Sequence, residues 1–322
     1  MIKVSVCVPV YGVEKYIERF ARSLFEQTLA DDVEFLFIND CTKDKSIEIL
    51  RNVSADYPNR QSQIRIVEHQ QNRGVSITRN TALDNARGEF IFFADPDDFL
   101  MPGALEKILE TAQSNNADYV TAGMCVQYDD HKEYPQPLAY DRKADFLADM
   151  LARKIPCSIW NNLIRKTLFT ANNIMFPETL NMGEDLSVTP RLIHFAAKVA
   201  FCPEVLYCYY RSNATSYCNT SKLKNLQDIT QAYNILHDFF STAQPPAPPE
   251  LLRAMQTGNF IEMLWMAAAN LDQLRWLKKN FKCRVWKLDK SQSARLKVAN
   301  ILFQLGLLRT IVWGTALLRR LR

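Results

Sequence analysis

Over the first hundred residues the apolar positions switch repeatedly between short continuous runs and helical spacing. Residues 3–10, Lys-Val-Ser-Val-Cys-Val-Pro-Val, are β-rich and stop at the turn Tyr11-Gly12. Between residues 13 and 27 the apolar positions are Ile17, Phe20, Ala21, Leu24 and Phe25, which share one helical stripe. Residues 33–38 predict a second strand, ending on Asn39-Asp40. Residues 46–55 predict a helix capped by Thr42 or Asp44, and 64–68 a third strand. A helix over 76–86, stopped by Gly88, leads to a short buried strand over 90–94. Alternating strand and helix implies a largely parallel sheet covered on both faces, with right-handed crossovers.

Ligands of such sheets bind at the carboxyl ends of the strands. Three strands here end in polar groups: Tyr11 after the first, Asn39 and Asp40 after the second, and Asp95, Asp97 and Asp98 after the fourth. Three carboxylates on one turn repel each other and are costly to desolvate, and a hard divalent cation would relieve that repulsion. Asp-Pro-Asp-Asp alone also reads as a plain acidic turn. Only the convergence of several strand ends raises it above that.

Beyond residue 100 the pattern predicts a helix over 102–114, a strand over 119–127, and a polar loop or lid over 128–141. An amphipathic helix over 143–153 follows, then a loop over 181–186 leading into a helix over 186–196, and an aromatic strand over 199–210. Pro245-Pro246-Ala247-Pro248-Pro249 reads as a stiff linker, with helices over 251–271 and 274–281 after it. The tail 298–322 is apolar but interrupted by Arg309 and closed by Arg319, Arg320 and Arg322. An arginine in mid-span is costly in a bilayer, so a spanning helix is disfavoured. Two readings remain: a basic amphipathic helix on an anionic inner leaflet, or a helix packed on the protein.

Composition narrows the class. The 322 residues are 48% hydrophobic and 23% charged, which is globular. A net charge of +4 is mild and does not suggest a nucleic-acid binder, which usually shows a concentrated basic face. The eight cysteines form no Cys-x-x-Cys, and most are expected reduced, as in the cytosol. The N-terminal segment opens straight into a strand pattern, so no signal peptide is expected. His69, His131, His194 and His237 show no metal-ligand spacing.

Five pieces fall in a telling order: Val4-Ser5-Val6-Cys7-Val8-Pro9-Val10-Tyr11-Gly12-Val13-Glu14-Lys15-Tyr16, Phe35-Leu36-Phe37-Ile38-Asn39-Asp40-Cys41-Thr42-Lys43-Asp44, Asn72-Arg73-Gly74 with Arg79-Asn80, Asp95-Pro96-Asp97-Asp98, and Gly183-Glu184-Asp185. Together they resemble a family-2 glycosyltransferase of the GT-A fold, of the bacterial kind that builds surface glycans. The resemblance covers about residues 1–220. It implies an α/β fold with a Rossmann-like, mostly parallel central sheet flanked by helices. It divides 1–220 into a nucleotide-sugar-binding half, 1–100, and an acceptor half, 101–220. Residues 221–322 are left as a helical C-terminal extension with the basic tail.

The same resemblance implies roles. Pro9 and Tyr11 would line the nucleotide pocket, with Tyr11 against the base. Asp40 would accept a hydrogen bond from uracil, favouring a UDP-sugar donor, and Arg79 would reach a phosphate. Asp95 would lie near the ribose or sugar, and Asp97 would hold Mn²⁺ or Mg²⁺ on the diphosphate. Asp185, beside Glu184, would be the general base, and Trp160 would shape the acceptor side. The implied reaction is inverting transfer to a hydroxyl of a growing glycan or lipid-linked saccharide. The place would be the cytoplasm, peripheral to the inner membrane if the tail 298–322 binds lipid.

Taken singly these residues have blander readings. Tyr11 reads as a loop aromatic, Asp40 as a helix-capping or turn residue, Arg79 as a solvated helix position or a salt-bridge partner, and Glu184-Asp185 as acids favoured in a helix's first turn. Asn39 replaces the commoner first Asp of its motif, and Cys41-Thr42 replaces Gly-Ser. A sugar nucleotidyltransferase would need a Gly-rich phosphate loop after the first strand, which Pro9-Val10-Tyr11-Gly12-Val13 is not. A non-catalytic sugar-binding or assembly protein predicts damaged metal or base positions, whereas Asp97 and Asp185 are intact. A processive synthase would show a series of spanning helices.

Overall fold

The computed structural model describes residues 2–213, 223–244, 246–281 and 294–312. The chain forms two compact units, Met1–Asp145 with Ser158–Ser216, and Phe146–Cys157 with Tyr217–Arg322. The elements run β1 (Val4–Val10), α1 (Ile17–Phe25), β2 (Val33–Asn39), α2 (Ser46–Ala55), β3 (Ile64–Glu68), α3 (Val75–Asn85), β4 (Phe90–Phe93), β5 (Phe99–Leu100), α4 (Ala104–Asn115), β6 (Tyr119–Gln127) and β7 (Lys132–Glu133). After α5 (Lys143–Leu151) come β8 (Asn162–Arg165), α6 (Lys166–Thr170), α7 (Glu184–Phe195) and β9 (Val199–Tyr210).

The sheet of the first unit has the order β3-β2-β1-β4-β8-β6-β9-β5, with β7 paired on β6. The half β3-β2-β1-β4 is parallel, as the alternating pattern predicts. Beyond it β8 runs antiparallel to both β4 and β6, and β6 and β9 are parallel. Buried on both faces, β1 and β2 need apolar residues at nearly every position. Val4, Val6, Val8 and Val10 meet Phe20, Leu24 and Phe25 of α1, Leu50 of α2 and Leu105 of α4 in one core. The alternate positions Cys7, Leu36 and Ile38 are also buried, and α3 packs on β1 and β2. Phe93 of β4 meets Phe176 edge-on at 5.4 Å.

Strand order reverses between β1 and β4, so the crevice lies at their carboxyl ends. There β4 pairs with β1 only over Val4–Cys7. Pro9, which has no N–H to give, lies beyond that pairing on the β4 side.

Some expectations are corrected. Helix α3 ends on extended Ala86 rather than at Gly88. Gly88 is needed for close approach instead: a Cβ there would lie 2.6 Å from the Ser5 backbone nitrogen. Cys41, standing where the resembling motif has glycine, takes that residue's conformation, with φ of 56°. Cys125 and Cys208, facing each other on β6 and β9, are joined by a disulfide, while Cys7, Cys41, Cys157 and Cys202 are in the thiol form. Cys218 and Cys283 lie outside the described residues. Cysteine usage therefore does not by itself argue for a reducing compartment.

The second unit is helical: α8 (Leu223–Thr242), α9 (Pro249–Ala267), α10 (Leu271–Asn280) and α11 (Ala294–Leu305) join the end of α5. The proline-rich stretch does not separate domains, because α8 and α9 on either side of it pack together. Gly258 of α9 lets the helix pass the Ala152 carbonyl, which a Cβ would meet at 2.2 Å. Phe303 of α11 packs on Phe260 at 5.4 Å, with Leu308 and Ile311 also buried. Val298, Ile301 and Leu305 stay exposed, and residues 313–322 of the tail lie outside the described residues. Among the described residues no helix is long and apolar enough to cross a membrane.

Candidate active site

The residues expected to bind nucleotide lie on the β1 and β2 ends. Tyr11 is 54% exposed just past β1, and Pro9 is half-buried before it. Asn39 closes β2 opposite Val10; its Oδ1 accepts from the Thr42 N–H at 3.0 Å, and its Nδ2 has no partner among the described residues. Asp40 is buried. It accepts from the N–H groups of Arg73 and Gly74, each at 2.8 Å, and from His69 Nδ1 at 2.8 Å. His69 in turn meets Thr81 Oγ1 at 3.0 Å. Asp40 thus clasps the turn that opens α3, and both its oxygens already have donors from the chain, where sequence suggested a base contact.

Helix α3 then carries Arg79 and Asn80 across to the loop before α7. Asn80 exchanges two hydrogen bonds with the Phe176 backbone, at 2.8 and 2.9 Å. Arg79, expected to reach into the cleft for a phosphate, is buried among carboxylates instead. Its Nη1 donates to Glu184 Oε1 at 2.6 Å and Asp185 Oδ1 at 2.7 Å, and its Nη2 to Asp95 Oδ1 at 3.1 Å. Its Nε is buried without a hydrogen-bond partner among the described residues. One cation facing three anions cannot neutralise them all. Burial and the Asp185 charge push the Glu184 carboxyl up to about 7, and burial raises Asp185 against the pull of Arg79.

Both acids stand in the first turn of α7, entered through left-handed Gly183. Asp185 Oδ2 also accepts from the Ile159 N–H at 3.1 Å. Beside Ile159, Trp160 stacks on Tyr207 at 5.0 Å and on Tyr209 at 5.3 Å.

The three carboxylates after β4 do not act as one cluster. Asp98 turns inward and is fully buried, accepting from Tyr207 Oη and the Tyr210 N–H, each at 2.7 Å. Burial, then the neighbouring Asp97 and Asp95 charges, hold its carboxyl well above the ordinary range. Tyr207 Oη also accepts from the Asp95 N–H at 3.0 Å, so one phenol braces the whole turn. Asp95 is held by Arg79. Asp97 is half-buried, and its Oδ2 accepts from Asn213 Nδ2 at 2.8 Å. Burial and then the Asp95 charge raise its carboxyl.

Among the described residues no three His, Cys, Asp or Glu side chains converge as a ready metal cage. The donor set nevertheless fits a hard cation that takes most of its ligands from a substrate. Asp97 has no basic side chain hydrogen-bonded to its carboxylate, and Oδ1 has no hydrogen bond to another described residue. Mg²⁺-like ions are held by one or two carboxylates plus substrate phosphates.

Sequence reading missed Asn213, Tyr207 and His69 here. Tyr207 meets Asp98 through a two-residue strand pairing, Leu100 with Tyr207, too short to read from any pattern. Asn213 lies 116 positions from its partner with no motif around it.

Residues 5–171 match the family model described as glycosyl transferase family 2. Over 220 residues the chain is 34% identical to the uncharacterized glycosyltransferase EpsJ of Bacillus subtilis strain 168, covering 66% of this chain and 62% of that one. The chain thus spans less than two thirds of that relative. Among solved structures, Staphylococcus aureus TarS residues 1–349 in complex with UDP-GlcNAc superposes with a TM-score of 0.61 at 18% identity, covering 98% of this chain and 92% of that one. The mannosyltransferase PcManGT of Pyrobaculum calidifontis, in complex with GDP-Man and Mn²⁺, superposes with a TM-score of 0.58 at 16% identity, covering 98% and 84%. These superpositions show a shared GT-A fold.

Proposed function

The chain belongs to glycosyl transferase family 2, and from that premise we propose that it transfers a sugar, with inversion, from a UDP-sugar to a hydroxyl of a growing glycan or lipid-linked saccharide in surface polysaccharide synthesis. The observation that carries this reading is the position of Arg79. It joins Asp95, at the end of β4, to Asp185, at the start of α7, beside the crevice where the strand order reverses. A donor-side carboxylate and a candidate base are thereby held by one side chain.

In this reading Tyr11 and Pro9 line the base, Asn39 offers its amide to the base edge, and Asp40 shapes the pocket through the Arg73-Gly74 turn. Asp95 faces the ribose or sugar, with Arg79 fixing it and lending positive potential to the diphosphate. Asp97 would hold a Mn²⁺ or Mg²⁺ ion, which supplies charge neutralisation for the departing diphosphate. Asp185 takes the proton of the acceptor hydroxyl as it attacks the anomeric carbon. Its base strength is supported by burial, which raises its affinity for that proton. Val298, Ile301 and Leu305, followed by an acid-free tail containing Arg309, Arg319, Arg320 and Arg322, suit an anionic membrane surface where lipid-linked acceptors reside.

Screening UDP-sugars for Mn²⁺-dependent hydrolysis and for protection against thermal unfolding tests the donor reading. Protection by UDP-sugars that needs the metal is the expected result. Protection by GDP-sugars alone, or by none, overturns it.

A further inference from the structure

Each carboxylate of the turn after β4 is held by a different kind of partner. Asp95 has a guanidinium, that of Arg79. Asp98 has a phenol and a backbone N–H, and is sealed from solvent. Asp97 has the neutral amide of Asn213. Asn213 lies just past β9, is itself only 6% exposed, and bonds at both ends: Nδ2 donates to Asp97 Oδ2 at 2.8 Å, while Oδ1 accepts from Tyr16 Oη at 3.3 Å. Tyr16, at the start of α1, packs its ring against Tyr210 at 5.6 Å. The Tyr210 N–H completes the circuit on Asp98.

We propose that Asn213 is the positioning residue for the cation-binding carboxylate, fixing the rotamer of Asp97 without cancelling its charge. The inference rests on the metal role proposed for Asp97. A lysine or arginine at this point would orient the carboxylate equally well but would compete with a cation for it. An amide donor orders one oxygen and leaves the negative charge and Oδ1 for the ion. Partners behind a metal ligand matter in this way generally, and their loss typically costs 10- to 100-fold in metal affinity. Arg19 adds to the same geometry from α1. Its Nη2 donates to the Asp97 carbonyl at 2.8 Å, and its guanidinium lies over the rings of Phe99 and Tyr210 at 4.8 and 4.9 Å. That cation grips the backbone of Asp97, and the carboxylate is left to the amide.

The test is Mn²⁺ titration of UDP binding by the full chain, followed by calorimetry, with no turnover required. Asn213→Ala is expected to raise the Mn²⁺ concentration for half-maximal UDP binding at least about tenfold. UDP binding without metal should be unchanged. Tyr16→Phe, which frees the far end of the amide but leaves its contact with Asp97, should shift the Mn²⁺ requirement in the same direction by less than the roughly tenfold of direct loss of the amide. Thermal unfolding of each variant separates positioning from folding. A lowered midpoint with an unchanged Mn²⁺ requirement, or no change in either, overturns the proposal while leaving the metal role of Asp97 intact. If the parent protein binds UDP equally with and without Mn²⁺, both fall together.

Discussion

Arg79 Nη1 donates to Asp185 Oδ1 at 2.7 Å, and the same nitrogen reaches Glu184 Oε1 at 2.6 Å. With Asp95 on Nη2, the guanidinium is a buried hub for three anions. Removing it leaves those largely buried anions facing one another unpaired, and breaking a buried pair typically costs about 3–5 kcal/mol. Arg79→Leu should lose that much stability at pH 8, read from denaturant midpoints. The deficit should shrink at pH 5, where protonation relieves the repulsion. Arg79→Lys should recover only part, since an ammonium lacks the planar fork. An equal deficit at both pH values would assign the role of Arg79 to packing over the Phe176 ring, which lies 5.6 Å from it.

Burial, and after it the Asp185 charge, makes stability depend on pH through Glu184. Its folded carboxyl is raised to about 7, above the ordinary 4.5, so the folded state binds the proton more tightly than the unfolded chain. Its contribution is therefore fully present below pH 4.5 and is lost as pH rises through about 7. The swing is at most about 3 kcal/mol. Glu184→Gln keeps the shape and an acceptor for Arg79 while removing the titration. The variant should match the parent near pH 5, exceed it in stability at pH 8, and show a flatter profile between. A parent profile as flat as that of Glu184→Gln would mean that Glu184 stays charged in the fold.

Donor binding and chemistry should separate by residue. Asp185→Asn keeps the side chain's shape and one acceptor oxygen, enough for Arg79 or the Ile159 N–H but not for both, and cannot take a proton; the site lies away from the base pocket, so UDP-sugar binding should persist. Transfer should fall by about 10²–10⁴, the usual worth of a general base. Because burial raises the Asp185 carboxyl, the acidic limb of the pH–rate profile should lie above the ordinary carboxylate range. Asp97→Ala should instead abolish the Mn²⁺ dependence of UDP binding. Transfer by Asp185→Asn at the parental rate would move the base elsewhere.

These predictions rest on a site only partly legible in the sequence. Strand ends were readable because β1, β2 and β4 are short apolar runs stopping on polar residues, and a parallel topology must bring such ends together. The facing of each side chain was not readable. Asp98 points inward because β5 pairs Phe99 with Cys208, which puts the Tyr207 phenol over it. Nothing in Asp-Pro-Asp-Asp distinguishes its third acid from its second. The family resemblance cast Arg79 as a phosphate ligand; a salt bridge was readable from its helix position, but not its partners Glu184 and Asp185, which lie 105 and 106 positions away. Only β8, inserted antiparallel beside β4, and the α7 that follows bring them back.

The described part of the tail shares its apolar residues between two faces. Phe303 is buried against Phe260, while Val298, Ile301 and Leu305, at spacings of three and four, are 55%, 50% and 62% exposed. That second stripe is the face the proposed membrane contact would use. After Asp289 the sequence has no acid, so an anionic surface would meet only positive charge there. Vesicles rich in phosphatidylglycerol should therefore sediment the protein, and phosphatidylcholine vesicles should not. Rising salt should release it, as screening weakens the contact within about 10 Å at 0.1 M. Ile301→Glu, at an exposed position, should leave the thermal midpoint unchanged and cut vesicle binding at least severalfold, since a charge in the apolar stripe must be desolvated. Undiminished sedimentation of Ile301→Glu would remove the membrane from the account of this helix.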